Sequence, residues 1–157
     1  MTSVRTMSLA LPAVFVLHVA EEAPLFVSWF NARVTPQITQ GSFITINGVA
    51  FLITICIASL LSVSRGSLEG LLGAAWVGFL MLANGLFHLI ATVADGSYCP
   101  GVITGTLLYL PFSTVFITGV AREIRMSALL VAAAAVAGGV PMAIHGYLIV
   151  FRGSRLF

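Results

Sequence analysis

Five apolar stretches, each long enough to cross a membrane as a helix, constrain this sequence more than any other feature. A helix rises ~1.5 Å per residue, so roughly 20 apolar residues cross the ~30 Å hydrocarbon core of a bilayer. Only 8% of the 157 residues are charged, whereas a soluble domain carries about a quarter. The sequence therefore predicts an all-α fold, an integral membrane bundle of about five transmembrane helices in which the lipid bilayer replaces a polar surface.

Polar connectors between the apolar stretches give the expected helix boundaries. Within one transmembrane domain spanning residues 1–157, we predict helices over approximately 6–30, 42–64, 70–93, 102–120 and 127–151. Pro24 lies inside the first helix, and we expect a kink there. The first stretch has no convincing small-x-small cleavage site after its apolar run, which favours a retained helix over a secretory signal peptide.

The arginines indicate an orientation in the membrane. Side A denotes the membrane face that holds the N-terminus, and side B the opposite face. More arginines fall on side A (Arg5, Arg65, Arg122, Arg125) than on side B (Arg33, Arg152, Arg155). The positive-inside rule then favours a cytoplasmic N-terminus in the cytoplasmic membrane. The net charge of +2 is scattered, which argues against a nucleic-acid partner. Homo-oligomers remain compatible with the sequence.

Polar and ionisable side chains inside the apolar stretches are the main indication of function. A charge at the bilayer centre costs at least ~2.5–3.5 kcal/mol, so such residues are functional candidates by default. His18, Glu21 and Glu22 are separated by three and four positions, which places them in one sector of a helix. The other candidates are Asn47 in the second helix, Asn84 and His88 in the third, Tyr98 in the following turn, and His145 in the fifth.

All of these candidates fall at a similar depth when residues are counted from the helix ends. The first, third and fifth helices run from side A to side B, and their polar groups lie between the midplane and side B. The second helix runs the other way, with Asn47 near its start, and the Tyr98 turn is also on side B. We therefore predict one polar site in the side-B half of the bundle.

Each candidate also has a purely structural interpretation. Asn84 can serve as a hydrogen bond between helices, a common role for amides in membranes. His145 can likewise bond to a neighbouring helix. His18 with its two glutamates is different, because three ionisable groups on one buried face cost too much for packing alone.

Three short motifs occur in order along the chain. Residues 18–22 read H-x-x-E-E, residues 84–88 read N-x-x-x-H, and residues 98–101 read Y-x-P-G. In a small multi-helix membrane protein, this combination resembles the HXXEE-domain family. The resemblance spans nearly the whole chain and implies a catalytic role for the motifs, without naming a reaction. His145 lies outside the motifs, and its candidacy depends on depth alone.

A metal site is the first chemical interpretation. Three imidazoles with one carboxylate match a zinc site, and two imidazoles with one carboxylate match a non-haem iron site. We therefore predict one divalent ion, zinc or iron, with ligands drawn from His18, Glu22, His88 and His145. The spare glutamate would act as general base on a metal-bound water. The predicted catalytic groups are Glu21, Glu22, Asn84, Tyr98 and Asn47.

A metal-free site is the alternative. Two adjacent carboxylates in a low dielectric do not both ionise cheaply, which would supply one acid and one base, with histidines as proton relays. Such a site suits an isomerase, a cyclase or an epoxide-opening enzyme. In either case the substrate is expected to be small and lipid-soluble, because it must pass between helices.

Non-enzymatic interpretations also remain. A haem-binding electron carrier would use two histidines but leaves both glutamates unexplained. A proton or metal-ion conductor would need polar residues that reach both faces, and the side-A half is apolar. A structural subunit would not need the charges of the first helix.

Overall fold

The described residues form six helices, and five of these are long enough to span a membrane. A computed structural model describes residues 3–64 and 66–156, and Arg65, one of the side-A arginines counted above, lies outside these residues. The helices are α1 (Val4–Glu22), α2 (Phe26–Asn31), α3 (Gln40–Val63), α4 (Ser67–Asp95), α5 (Val102–Glu123) and α6 (Ala128–Arg152). By length and composition all except α2 can cross a bilayer, and the described residues contain no strand. The predicted five-helix membrane bundle is confirmed.

The first predicted helix is the one whose boundaries were wrong. It does not run on to residue 30 with a kink; it ends at Glu22, and a turn at residues 23–25 separates it from α2. Pro24 has no backbone N–H to continue the helical ladder, and its ring crowds the preceding turn. The break leaves Glu22 as the last residue of α1. The other helix ends lie within three residues of the prediction.

Two of the spanning helices contain a wider turn. In α4, residues Gly78–Ala83 form a π-helical segment, and in α5 residues Gly105–Tyr109 do the same. Pro111, just after the second segment, cannot donate its share of the α-helical hydrogen bonds, which accounts for the irregularity there. The π segment of α4 ends just before Asn84, and the π segment of α5 ends at Tyr109.

Two buried apolar clusters fill the bundle. The larger cluster spans the side-A half and includes Leu11 of α1, Val77 of α4, Val120 of α5 and Val131 of α6. The smaller cluster lies at side B, where α2 packs against the ends of α4 and α6 through Trp29, Phe30, Phe87, Ala91 and Ile149. The polar groups of the chain therefore lie between a filled side-A half and an aromatic roof on side B.

Small residues hold α4 and α6 close together. A Cβ built on Gly138 would lie 2.1 Å from the carbonyl oxygen of Ala75, and one on Gly78 would lie 2.0 Å from that of Ala135. Backbones can approach this closely only where side chains are absent, as is usual where membrane helices cross through glycine and alanine.

We expect Gly138→Ala to lower the free energy of unfolding by about 1–3 kcal/mol, because the methyl group must push backbone from backbone. Gly48→Ala is the matched control, since nothing lies within 4 Å of a Cβ at Gly48 of α3. That control is expected to change stability by less than about 1 kcal/mol, in the stabilising direction. Thermal unfolding of both variants in detergent measures the difference, and equal melting temperatures would contradict the close crossing.

Candidate functional site

Three side chains from α1 and α4 meet at the centre of the site. His18 and Glu22 are one helical turn apart on α1, and His88 faces them from α4. They are 1%, 5% and 0% exposed, respectively. One ligand atom from each lies within 4.8 Å of the others. The structure thus brings together three residues that the sequence singled out from separate helices.

Glu22 lies against both imidazoles. Its Oε1 atom is 3.1 Å from Nε2 of His88 and 3.6 Å from Nε2 of His18. The two rings are nearly perpendicular, with centroids 5.0 Å apart. Neither Nε2 atom makes a hydrogen bond of good geometry anywhere in the part of the chain that the structure describes. Two buried ring nitrogens therefore converge on one carboxylate without a well-aligned proton between them.

The opposite nitrogen of His18 shows which tautomer the ring adopts. Its Nδ1 atom lies 2.8 Å from the hydroxyl of Thr104, and that hydroxyl donates to Oε2 of Glu21 at 2.5 Å. Threonine has one hydroxyl proton, so the oxygen that gives it to Glu21 must accept from His18. The Nδ1 atom of His18 therefore carries the ring proton, and its Nε2 atom presents a lone pair to the site.

His88 is held in the same way by a different partner. Its Nδ1 atom lies 3.3 Å from Sγ of Cys99, and the thiol donates to the carbonyl of Pro100. Burial and the nearby charge of Glu22 raise the pKa of the Cys99 thiol to about 12, so the sulfur keeps its proton. A thiol that donates to Pro100 leaves Sγ to accept the Nδ1–H of His88, and in that tautomer the Nε2 lone pair of this ring also faces Glu22.

Glu21 points away from Glu22. Its carboxylate accepts hydrogen bonds from the backbone N–H groups of Gly101, Ile103 and Thr104 at 3.1, 3.0 and 2.7 Å. Unpaired N–H groups at a helix start attract a negative charge, and Glu21 supplies it to α5. Consecutive residues on a helix do not face one another. The predicted acid–base pairing of Glu21 with Glu22 is therefore wrong: the two carboxylates have different partners.

Tyr98 also acts through Glu21. Its hydroxyl donates to Oε1 of Glu21 at 2.8 Å, and its ring, 44% exposed, does not line the cavity beside the histidines. Burial, and next the bond to Glu21, raise the pKa of Tyr98 to about 12, so the hydroxyl remains a donor. The structure makes Tyr98 and Glu21 positioning residues, in contrast to the direct catalytic roles predicted for them.

The position of Gly101, the last residue of the Y-x-P-G motif, requires glycine. Its φ of +99° is a conformation that side chains disfavour. A Cβ there would lie 2.7 Å from Cε1 of His88 and 2.9 Å from Cε1 of His18. The loop thus presses its backbone directly against both imidazoles and fixes their planes.

A cavity of about 130 Å³ adjoins the three residues. Asn84, Asn47 and His145 contribute polar groups to its wall. The Oδ1 atom of Asn84 is buried and has no hydrogen-bond partner among the described residues, whereas the amide of Asn47 donates to the carbonyl of Phe43. The apolar wall comprises Phe15, Phe26, Phe30, Ile38, Phe43, Ile46, Ala50, Phe79, Leu80, Phe87, Met142 and Ile149.

His145 lines this cavity but is not in the ligand group. Its Nδ1 atom accepts a hydrogen bond from the backbone N–H of Leu156 at 3.1 Å. A backbone N–H only donates, so Nδ1 must offer its lone pair there and Nε2 must carry the proton. The predicted role of His145 as a metal ligand is therefore wrong, because the ring has no lone pair left to give.

Two residues that contact His18 were not among the predicted site residues. Thr104 joins His18 to Glu21, and the ring of Tyr109 stacks on that of His18 with centroids 4.1 Å apart. Thr104 lies three positions after the Y-x-P-G motif, at the start of a helix, where a hydroxyl is common and carries no functional indication. Tyr109 is completely buried, and nothing in its neighbouring sequence distinguishes it from a core aromatic.

We expect Gly101→Ala to reduce the free energy of unfolding by about 2–4 kcal/mol, because it adds backbone strain and a clash with both imidazoles. Gly96→Ala is the matched control: its φ is also positive, at +61°, but nothing lies within 4 Å of the added carbon. The control should cost only about 1 kcal/mol. Chemical unfolding followed by circular dichroism separates the two, and equal losses would mean that the loop does not press on the rings.

Comparison with known proteins gives a family and no function. A family described as "Protein of unknown function with HXXEE motif" matches residues 9–116. No curated protein and no solved structure matches the chain. The matched range contains His18, Glu22, His88 and the loop that contacts them, and it excludes α6 with His145. Because the match covers well over half of the chain, this protein belongs to the family of proteins with an HXXEE motif.

Proposed function

We propose that this protein is a membrane-embedded enzyme that binds one divalent metal ion through His18, Glu22 and His88 and acts on a small hydrophobic substrate. One observation carries the proposal. The Nε2 atoms of His88 and His18 lie 3.1 and 3.6 Å from one carboxylate oxygen of Glu22, and the Nδ1 atom of each ring has a partner on the opposite side that can accept its proton.

A cation relieves an arrangement that is otherwise unfavourable. Three electron-rich atoms converge at a fully buried point, where a low dielectric strengthens their mutual repulsion. A divalent ion bound by all three replaces that repulsion with coordination bonds. Thr104 and Cys99, which hold the two Nδ1–H groups, are the kind of outer partner that metal-bound histidines usually have.

The donor set favours a transition metal. Two imidazoles and one carboxylate are the ligands of non-haem iron oxygenases and of several catalytic zinc sites, both of which leave open positions for substrate or water. A zinc hydrolase also needs a nearby general base. Glu21, the expected base, is fully engaged by the backbone of α5 and by Tyr98 and Thr104. The geometry therefore favours iron over zinc, with oxidation–reduction as the chemistry the ion supplies.

The remaining residues of the site bind and orient the substrate. The buried Oδ1 of Asn84 needs a hydrogen-bond donor, which a substrate hydroxyl or amide provides. Six phenylalanines and the filled side-A half keep water from the reacting group. The same filled half argues against a proton or ion conductor, because among the described residues an apolar cluster separates the histidines from side A. A haem between the two imidazoles would displace Glu22, which occupies that gap.

A metal-free acid–base enzyme is the second candidate. The 3.1 Å distance between Glu22 Oε1 and His88 Nε2 also suits a proton shared between them. Such a site would isomerise, cyclise or open an epoxide of a lipid-soluble molecule. It differs from the first candidate in needing no ion.

Elemental analysis of the untagged, detergent-purified protein distinguishes the metal-dependent candidate from the metal-free one. We expect one equivalent of iron or zinc per chain, lost in Glu22→Gln and in the double variant His18→Ala/His88→Ala. His145→Ala is the matched control and should retain the metal, because its ring is engaged elsewhere. If folded wild-type protein binds neither iron nor zinc, even after both are added back, the metal-dependent function is wrong and the acid–base candidate is favoured.

Thr104→Val provides a second test that leaves all three ligands in place. Without the hydroxyl, His18 loses the partner that fixes its tautomer, and metal affinity is expected to fall by about 10–100-fold. Thr104→Ser keeps the hydroxyl and should restore most of the affinity. Competition with a coloured chelator measures the metal affinity of both variants. Equal metal affinities of Thr104→Val and Thr104→Ser would exclude this role for the Thr104 hydrogen bond.

A further inference from the structure

The polar part of the cavity is a single layer within the membrane. Asn47, His88 and His145 each lie seven positions from the side-B end of their helix: 47 minus 40, 95 minus 88, and 152 minus 145. At 1.5 Å per residue, that is about 10 Å along each helix from its side-B end. The reacting group of a substrate would therefore lie deeper in the bundle than the side-B ends of the helices.

Apolar walls extend from this layer in both directions. Towards the midplane, Phe79 lies nine positions from His88 along α4, about 13 Å deeper. Towards side B, the roof of the cavity is formed by Phe26, Phe30 and Ile38. A molecule whose polar group lies in this layer places only the first carbons of its apolar chain in the cavity of about 130 Å³, and a large hydrated headgroup would meet an aromatic roof.

The cavity also lacks a cation that could neutralise an acidic headgroup. No arginine among residues 3–64 and 66–156 lines it, and the sequence contains no lysine. Arg33, which belongs to the roof, is already committed: it donates to Asp95 at 2.6 Å and to the carbonyl of Trp29, and it stacks on the Trp29 ring. A phosphate in this layer would be a buried charge without a partner.

The cavity is accessible from the bilayer between α3 and α6. Both helices line it, yet α3 packs along α1 and α4 and not extensively along α6. Ile46 of α3, in the cavity wall, is 50% exposed on the face where the membrane lies. A molecule dissolved in the side-B leaflet can therefore reach the polar layer without passing through water.

We infer that the substrate of the proposed enzyme is a neutral lipid with one small polar function, such as an alcohol, carbonyl or epoxide on a long apolar chain, taken up from the side-B leaflet between α3 and α6. This inference rests on the proposed function for the identity of the reacting site. It excludes phospholipids and other molecules with charged or bulky headgroups. The small polar function lies beside Glu22 and Asn84, the first carbons of the chain contact the phenylalanine wall, and the rest of the chain extends between α3 and α6 into the bilayer.

Binding of two matched probes tests the inference. Dodecanol and dodecyl phosphate have the same chain and differ only in the headgroup. Trp29 contacts two residues of the cavity wall, Phe26 and Phe87, so its fluorescence reports occupancy once Trp76→Phe has removed the other tryptophan. In metal-loaded protein in lipid nanodiscs, we expect saturable binding of dodecanol and at least about tenfold weaker binding of dodecyl phosphate.

A pair of neighbouring variants on α3 controls for general effects on the membrane. Ala50→Phe fills the cavity and should weaken dodecanol binding at least about tenfold. Val49→Phe adds the same ring at a position that is 54% exposed and outside the cavity wall, and it should leave binding unchanged. Metal content measured on both samples shows that the site remains folded.

The outcomes separate this inference from the proposed function. Three results with metal-loaded protein would overturn the inference without affecting the proposed metal site. They are no binding of dodecanol, equal affinity for dodecanol and dodecyl phosphate, or equal loss of dodecanol binding in Ala50→Phe and Val49→Phe. Wild-type protein that binds dodecanol selectively but takes up no metal would support the substrate class and overturn the metal-dependent function instead.

Discussion

The site depends on the contact between the Glu21 carboxylate and the start of α5. Three backbone N–H groups and two hydroxyls converge on this one side chain. The contact joins the end of α1 to the loop after α4, so it brings the H-x-x-E-E and Y-x-P-G motifs into one structure. Gly101 then meets both imidazoles, and Thr104 orients His18. A charge that is costly in a membrane is stabilised by the dipoles of a helix that needed an N-terminal partner.

The two adjacent glutamates have different partners. Glu21 stabilises the frame, whereas Glu22 faces the histidines and lies at the end of α1, where Pro24 stops the helix. Because Glu22 is the last helical residue, its side chain reaches under the roof formed by α2 without leaving the buried layer. The arrangement separates the charge that binds the start of α5 from the charge that faces the histidines by a single peptide bond, which is possible because consecutive helical residues face different directions.

The number of helices and the depth of the main site residues could be predicted from the sequence. Helix number follows from apolar length, and the shared depth of His18, His88 and Asn84 follows from residue counting. The direction of Glu21 could not be predicted, because its partners are backbone groups that carry no sequence signature. The state of His145 depends on the backbone of Leu156, which a turn at Gly153 brings back towards α6. Depth in the membrane is encoded locally, whereas hydrogen-bond partners are set by tertiary contacts.

The order of the parts along the chain has a consequence for biogenesis. The three residues that converge lie on the first and third spanning helices, but Thr104 and the N–H groups that hold Glu21 belong to the fourth. Until that helix has left the ribosome and entered the membrane, Glu21 lacks its backbone partners, and α1 is the least apolar of the five spans. The first helix therefore gains the hydrogen bonds that stabilise its charge only when the fourth is present, so we expect full stabilisation of α1 in the membrane to coincide with completion of the site.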